Sequence, residues 1–172
     1  MVRRWWLRVC VGTVLLVLAG CGAGASDPPA PRSGPADTNP CALFTTDQQH
    51  ERVVSAGQRQ TATDGLGTVS CVWSHIPATQ GDNYVGRLIQ GSVPGGTPSA
   101  SIVGLPTAQY APAGTDPKTS CVYLVSISPD LTLWAQYINT SGDLPGLNHR
   151  VACIKAQSAA ADMLSTYRLI SN

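Results

Sequence analysis

Cys41, Cys71, Cys121 and Cys153 are spread at intervals of 30, 50 and 32 residues along a 172-residue chain, and no two of them form a C-x-x-C. Zinc sites usually contain closely spaced ligand pairs, and thioredoxin-like redox chemistry needs the C-x-x-C itself, so both are disfavoured. In an exported chain such an even set is a disulfide framework, with three connectivities open to it. The preferred pairing is Cys41 with Cys71 and Cys121 with Cys153, because each bridge ties a helix start to a neighbouring strand. The chain-entropy relation gives ~3.7 kcal/mol for each loop of roughly thirty residues before strain is subtracted. Against the ~5–15 kcal/mol that holds a typical domain together, two such bridges matter.

Export is written into residues 1–20. MVRRWWLR is cationic, and the following VCVGTVLLVLAG is apolar over the length of a signal-peptide core. A membrane-spanning helix would need ~20 apolar residues. The run stops at Leu18-Ala19-Gly20-Cys21, which resembles the lipobox of bacterial lipoproteins at all four positions. The resemblance implies that the Cys21 thiol receives a diacylglyceryl group, that the leader is removed, and that the new amine is acylated. An ordinary secretory cleavage would leave Cys21 as an exposed free thiol, a liability in an oxidising compartment. Each buried methylene contributes ~0.8 kcal/mol, so one acyl chain holds a protein marginally and two hold it stably. The expected location is the extracytoplasmic face of the cell membrane, with Cys21 as the lipidation site, palmitate among its acyl chains, and the membrane as the first partner.

Residues 22–38, GAGASDPPAPRSGPADT, contain 13 Gly, Ala, Pro or Ser in 17 positions and no large hydrophobe. Such a stretch cannot bury a core and reads as a tether, so residues 21–38 are the lipidated cysteine and its linker. The remaining 134 residues, 39–172, form one domain. Net charge is +1 overall, but from Cys21 onward 8 basic residues face 10 acidic ones. That balance excludes the concentrated positive field that nucleic-acid binding requires.

Within the domain, Thr45 three residues ahead of Gln48 is a capping box, and Gly57 suits a helix stop, which predicts a helix over about Thr46 to Ala56. Strands are predicted near Val69 to Ile76 and Tyr84 to Gln90, joined by a polar turn containing Gly81, Asp82 and Asn83. CVYLVSIS and LTLWAQYIN, linked by Pro129-Asp130, form the strongest hairpin signal. Alternation places Cys121, Tyr123, Val125 and Ile127 on one face, and Leu131, Leu133, Ala135 and Tyr137 together on the partner strand. Ala152, Ala156, Ala159, Met163 and Tyr167 recur at helical spacing, so a helix over about Ala152 to Arg168 lays a small-residue stripe against the sheet. The stretch from Gly91 to Ser120 reads as the main irregular region, with one strand near Ala108 to Ala111, and as a surface loop in preference to a mobile lid. The expected class is α+β: a small antiparallel sheet with a short N-terminal helix and a C-terminal helix packed on it, braced by two disulfides.

Asn39-Pro40-Cys41-Ala42-Leu43-Phe44-Thr45, then Cys71-Val72-Trp73, then CVYLVSIS from Cys121, and Cys153 opening an alanine-rich helix together resemble a family of actinobacterial lipoproteins of unknown function. The likeness covers residues 39–168 besides the lipobox and tether. Lysine is scarce, at two residues against nine arginines, which is similar to the usage of a high-GC genome. The resemblance implies a cell-envelope location and two disulfides, and it carries no assigned activity, cofactor or catalytic residue.

The inventory for catalysis is thin. His50, His75 and His149 lie in three separate segments, Glu51 is the single glutamate, and H-E-x-x-H, G-x-S-x-G, S-x-x-K and Walker patterns are missing. An assembly of His75 with distant Ser or Asp residues is the enzymatic alternative, and no cofactor or metal is expected. Asn139-Thr140-Ser141 matches a glycosylation acceptor but reads as a chance match in a bacterial lipoprotein. Aromatic residues offer the better lead. Trp73, Tyr84, Tyr123, Trp134 and Tyr137, with Arg87, could form a stacking surface for a sugar or a cover over an apolar ligand if they share an exposed face. Core packing is the competing role, with Trp73 set against the first disulfide. The expected function is therefore non-enzymatic binding of a small apolar or cell-wall-derived ligand, with an accessory subunit of an envelope complex as the alternative.

Overall fold

The computed structural model describes residues 38–62, 66, 69–77, 81–141 and 145–171. They belong to one compact unit, Ser33–Asn172; the expected leader and Cys21 fall in the other, Met1–Arg32, outside the described residues. A 3-10 helix, Pro40–Leu43, leads into α1 (Thr46–Glu51). Seven strands follow: β1 (Gln58–Thr61), β2 (Val69–Ser74), β3 (Asp82–Gln90), β4 (Thr97–Ile102), β5 (Leu105–Tyr110), β6 (Ser120–Ser128) and β7 (Leu131–Asn139). The chain closes with α2 (His149–Ile170).

All strand pairs are antiparallel, in the order β1-β2-β3-β7-β6-β5-β4. Two meanders, β1 to β3 and β4 to β7, are joined where β3 pairs with β7 over nine residues, from Asp82 opposite Asn139 to Gln90 opposite Leu131. The α+β architecture matches the expectation, and both disulfides form as paired: Cys41–Cys71 and Cys121–Cys153, with Cα separations of 5.0 and 4.9 Å.

α2 lies mainly over β6 and β7. Its alanines at 152, 156, 159 and 160 are wholly buried, as are Met163 and Leu164. Small side chains let the helix axis approach the sheet, and Met163 fills the space left by Gly86 on β3, where a Cβ would sit 2.9 Å from Met163 Sδ. The predicted alternation holds: Cys121, Tyr123, Val125, Leu131, Leu133, Ala135 and Tyr137 all join the core under α2. Asn148 caps the helix by accepting the Val151 N–H at 3.1 Å.

Three local expectations fail, each for a physical reason. The capping box of Thr45 and Gln48 forms, yet α1 ends at Glu51 and not near Ala56. Val54 N–H bonds Gln49 O and Val53 N–H bonds His50 O, the pair of bonds that defines a Schellman stop. Its left-handed residue is Val53, at φ 54°, where glycine is usual. Gly57 has another role: a Cβ there would lie 2.4 Å from Cys71 Sγ and 2.5 Å from Trp73 Nε1. The segment Gly91–Ser120 holds two strands, β4 and β5, where one near Ala108 to Ala111 is expected, and they are joined by the two-residue turn Val103-Gly104 with φ 50° and 78°. Asn-Gly normally announces such a turn, so Val-Gly conceals it. Asp82 and Asn83 begin β3 instead of forming a turn. The edge strand β1, Gln-Arg-Gln-Thr, is exposed throughout and lacks the apolar alternation that marks a strand.

Candidate functional site

The sheet divides the six expected binding residues between its two sides. Trp73, Tyr84, Tyr123 and Tyr137 belong to the core beneath α2, whereas Trp134 belongs to the cluster on the opposite face. Arg87 is on that opposite face too, its Cζ 3.8 Å from the Trp134 ring centroid. All six are buried, none keeping more than 6% of its surface. They therefore make no common exposed platform. The register explains the split: Tyr84 and Arg87 are an odd number of residues apart on one strand, and so are Trp134 and Tyr137 on another.

Each aromatic has a packing role. Trp73 meets Phe44 at 4.6 Å between centroids, and Gly57 is pressed against both its indole and Cys71. Tyr84 stands between Phe44 and Tyr137, at 6.1 and 5.6 Å. The Arg52 guanidinium lies 5.0 Å from the Tyr84 ring and 5.3 Å from Phe44, and pairs with Asp162, fastening the end of α1 to α2. On the opposite face Tyr110 tilts against Trp134 at 5.1 Å. Trp134 Nε1 donates to Gln136 Oε1, and Gln136 Nε2 donates to Ser120 Oγ.

Beneath the N-terminal half of α2 is a polar cluster that no motif announces. The buried Asp82 carboxylate accepts hydrogen bonds from Tyr137 Oη at 2.5 Å, Asn139 Nδ2 at 2.8 Å and Lys155 Nζ at 2.5 Å. Burial pushes the Asp82 carboxyl up, but the bonds from Lys155, Tyr137 and Asn139 with the Lys155 charge outweigh it and hold it below the usual aspartate value. Burial and the Asp82 carboxylate both push the Tyr137 phenol up, so it keeps its proton through the alkaline range. The network joins β3, β7 and α2 across 55 to 73 residues of chain. It also disposes of the glycosylation pattern as a surface feature, because Asn139 keeps only 3% of its surface.

The histidines lie on separate elements. His50 is in α1; His75 follows β2, with Nδ1 3.3 Å from the Pro77 carbonyl; His149 opens α2, with Nδ1 2.9 Å from the Pro117 carbonyl. Neither of those two rings meets a serine or a carboxylate in these contacts. Among the described residues no three His, Cys, Asp or Glu side chains gather in a way that could hold a metal ion. No helix among them is long and apolar enough to cross a membrane.

Two open recesses flank the helices. One, of about 480 Å³, is lined by Val53, Val54, Ala56 and Ile76 with Thr46, Gln49, His50 and Ser55. Val53 and Ile76 are half exposed at its edge, and the Ile76 N–H donates to the Val53 carbonyl, so two apolar side chains are fixed side by side. The other recess, of about 350 Å³, runs between the Val103 turn and α2, beside Ile154 and Gln157. None of these residues was legible as a site, because the first recess depends on where α1 stops and the second on an unannounced hairpin. No protein-family model matches this sequence, and neither curated proteins nor solved structures give a match.

Proposed function

We propose that this protein is a lipid-anchored, extracytoplasmic, non-enzymatic binding module whose ligand site is the recess at the end of α1. The lipobox-like Leu18-Ala19-Gly20-Cys21, the tether and the resemblance to actinobacterial lipoproteins support the anchor and the envelope location. The ligand class is a small molecule from the envelope with an apolar part, seated on Val53, Val54 and Ile76, and a polar part reaching Thr46, Gln49, His50 or Ser55. Volumes of ~300–1,000 Å³ are usual for such sites.

The observation that carries this reading is Val53. A β-branched residue in the left-handed region costs ~1–2 kcal/mol, and glycine at a helix stop avoids that cost. Half of the Val53 side chain is exposed, so burial in the domain does not offset the strain. A side chain retained at such a backbone position is accounted for by a role at the recess wall.

The test uses the native lipoprotein purified from envelope membranes, with mass spectrometry of the molecules it releases. The wild type is expected to carry a specific small molecule, while Val53→Gly gains about 1 kcal/mol of stability by relief of the left-handed strain and loses the molecule. A wild type that carries none, or a Val53→Gly protein that keeps it, sinks the proposal. The accessory-subunit alternative draws on the half-exposed Val103 and Ile154 beside the second recess. It is favoured if a photo-crosslinker at position 154 captures one reproducible envelope protein while the purified lipoprotein is ligand-free.

A further inference from the structure

We infer that the outer stripe of α2, with the Val103 turn beside it, is a docking surface for anionic phospholipid headgroups; the inference rests on the proposed lipid anchor. Arg150, Ile154, Gln157, Ala161, Ser165 and Arg168 recur at steps of three and four residues, so they share one side of the helix. All are exposed except the half-buried Ala161, while the buried alanines and Met163 face the sheet. From Arg150 to Arg168 the stripe runs ~27 Å.

Its chemistry is ordered along that length. An arginine stands at each end, and Ile154, 55% exposed, lies between them. The β4–β5 turn adds a second apolar side chain, because Val103, 52% exposed, shares the recess with Ile154, Gln157 and Ala161. Arg168 Nη2 donates to the Val103 carbonyl at 3.4 Å, which ties the turn to the helix. No carboxylate interrupts the stripe. Asp162, next to Ala161 in sequence, is taken up by Arg52. At the helix start the Pro117 carbonyl meets His149, so its neighbours Asp116 and Lys118 bring one charge of each sign there.

Size, charge and reach select the occupant. A specific protein interface buries ~800 Å² on each partner around an apolar core. Two half-exposed aliphatic side chains do not supply such a core. A helix side with a few apolar groups flanked by cations suits a phospholipid surface, where the apolar groups enter the headgroup boundary and the arginines meet phosphate oxygens. The 17 residues between Cys21 and Asn39 span at most ~60 Å, so an anchored domain never leaves the reach of the bilayer. At the effective concentration this linkage sets, a contact too weak to recruit a free protein is populated.

The experiment reconstitutes the full lipoprotein into vesicles of phosphatidylcholine alone or of phosphatidylcholine and phosphatidylglycerol in equal parts. A benzophenone amino acid replaces Ile154, Val103 or, as a reference, the exposed Val69 of β2, and lipid adducts are quantified by mass spectrometry after illumination. In the anionic vesicles, adducts at positions 154 and 103 are expected to exceed those at 69 about fivefold, and to fall about fivefold in phosphatidylcholine alone. Arg150→Gln, which leaves the Arg168 contact with Val103 in place, should lower the adducts at 154 about fivefold, the effect of one basic residue at an anionic surface. Flotation keeps the two readings apart. Protein that floats with neither vesicle loses the anchor and this inference with it. Protein that floats but labels all three positions equally, labels independently of phosphatidylglycerol or of Arg150, or crosslinks to a second copy at 154 overturns the docking and leaves the anchor standing.

Discussion

Replacing Gly57 with alanine tests how the domain closes around its first disulfide. The added Cβ would lie 2.4 Å from Cys71 Sγ, 2.5 Å from Trp73 Nε1 and 2.9 Å from Trp73 Cε2. Ordinary contact begins near 3.4 Å, so the nearest neighbour must retreat by about 1 Å. Neither neighbour can do so locally. Cys71 is bonded to Cys41, and the Trp73 ring is wholly buried against Phe44. Overpacking of a well-filled core costs ~1–3 kcal/mol, and two immobile neighbours place Gly57→Ala at the top of that range, about 3 kcal/mol. For a domain of this size that lowers the melting temperature by roughly 10 °C. The assay is thermal unfolding of the oxidised protein, followed by far-UV circular dichroism and tryptophan fluorescence, with two references. Gly86→Ala meets Met163 Sδ at 2.9 Å, a flexible end that can swing aside, and Trp73 Cζ3 at 3.1 Å, only a few tenths of an ångström too close, so a smaller cost of about 1–2 kcal/mol is expected. Gly57→Asn separates the steric reason from a conformational one. Asparagine tolerates the left-handed region that a helix stop would require, yet it is larger than alanine. If Gly57→Asn is more stable than Gly57→Ala, or if Gly57→Ala costs no more than Gly86→Ala, the steric reasoning is refuted.

Stability should fall at both ends of the pH scale because of the Asp82 cluster. The folded Asp82 carboxyl titrates below the ordinary 3.8, so its contribution is present above that value and is lost as pH falls through the lower folded one. The folded Tyr137 phenol titrates above the ordinary 10.0, so its contribution is present below that value and declines as pH rises beyond it. Urea titrations across pH should show both losses, with the acid loss reduced in Asp82→Asn and the alkaline loss reduced in Tyr137→Phe. Replacing both Cys121 and Cys153 with serine should cost ~3.7 kcal/mol by the chain-entropy relation, read as a lower urea midpoint; a cost under about 1 kcal/mol would mean that the cluster and the α2 packing hold the helix unaided. Produced in a glycosylating host, the domain should carry no glycan at Asn139, because its side chain is buried and bonded to Asp82; an added glycan mass on correctly oxidised protein would contradict that placement. Finally, Cys21→Ser should abolish incorporation of labelled palmitate and release the protein from the membrane fraction, whereas unchanged fractionation would remove the anchor from the proposal.

Much of the architecture was legible because it is encoded over a few residues. The alternation in Cys121–Ser128 and Leu131–Asn139 fixes which side chains face inward, since strand geometry repeats every two residues. The capping box at Thr45 and the alanine stripe of α2 are likewise local, and the cysteine pairing follows once the neighbouring elements are placed. The remainder was decided by tertiary contact. Val53 ends α1 in a conformation its own chemistry disfavours, with the adjoining Val54 paired opposite His75. Val103-Gly104 turns a hairpin without the usual signal, in a setting where Thr107 bonds back to Ala100. Gly57 looks like a helix stop in sequence and is in fact the gap that lets a disulfide and an indole close up. Asp82, Tyr137, Asn139 and Lys155 become one network only after β3 pairs with β7 and α2 settles on them. Sequence determines periodicity, because that is a property of neighbouring residues. Register across the sheet and the seating of a helix depend on contacts between segments far apart in the chain, and those alone decide which side of the sheet an aromatic joins and where a recess opens.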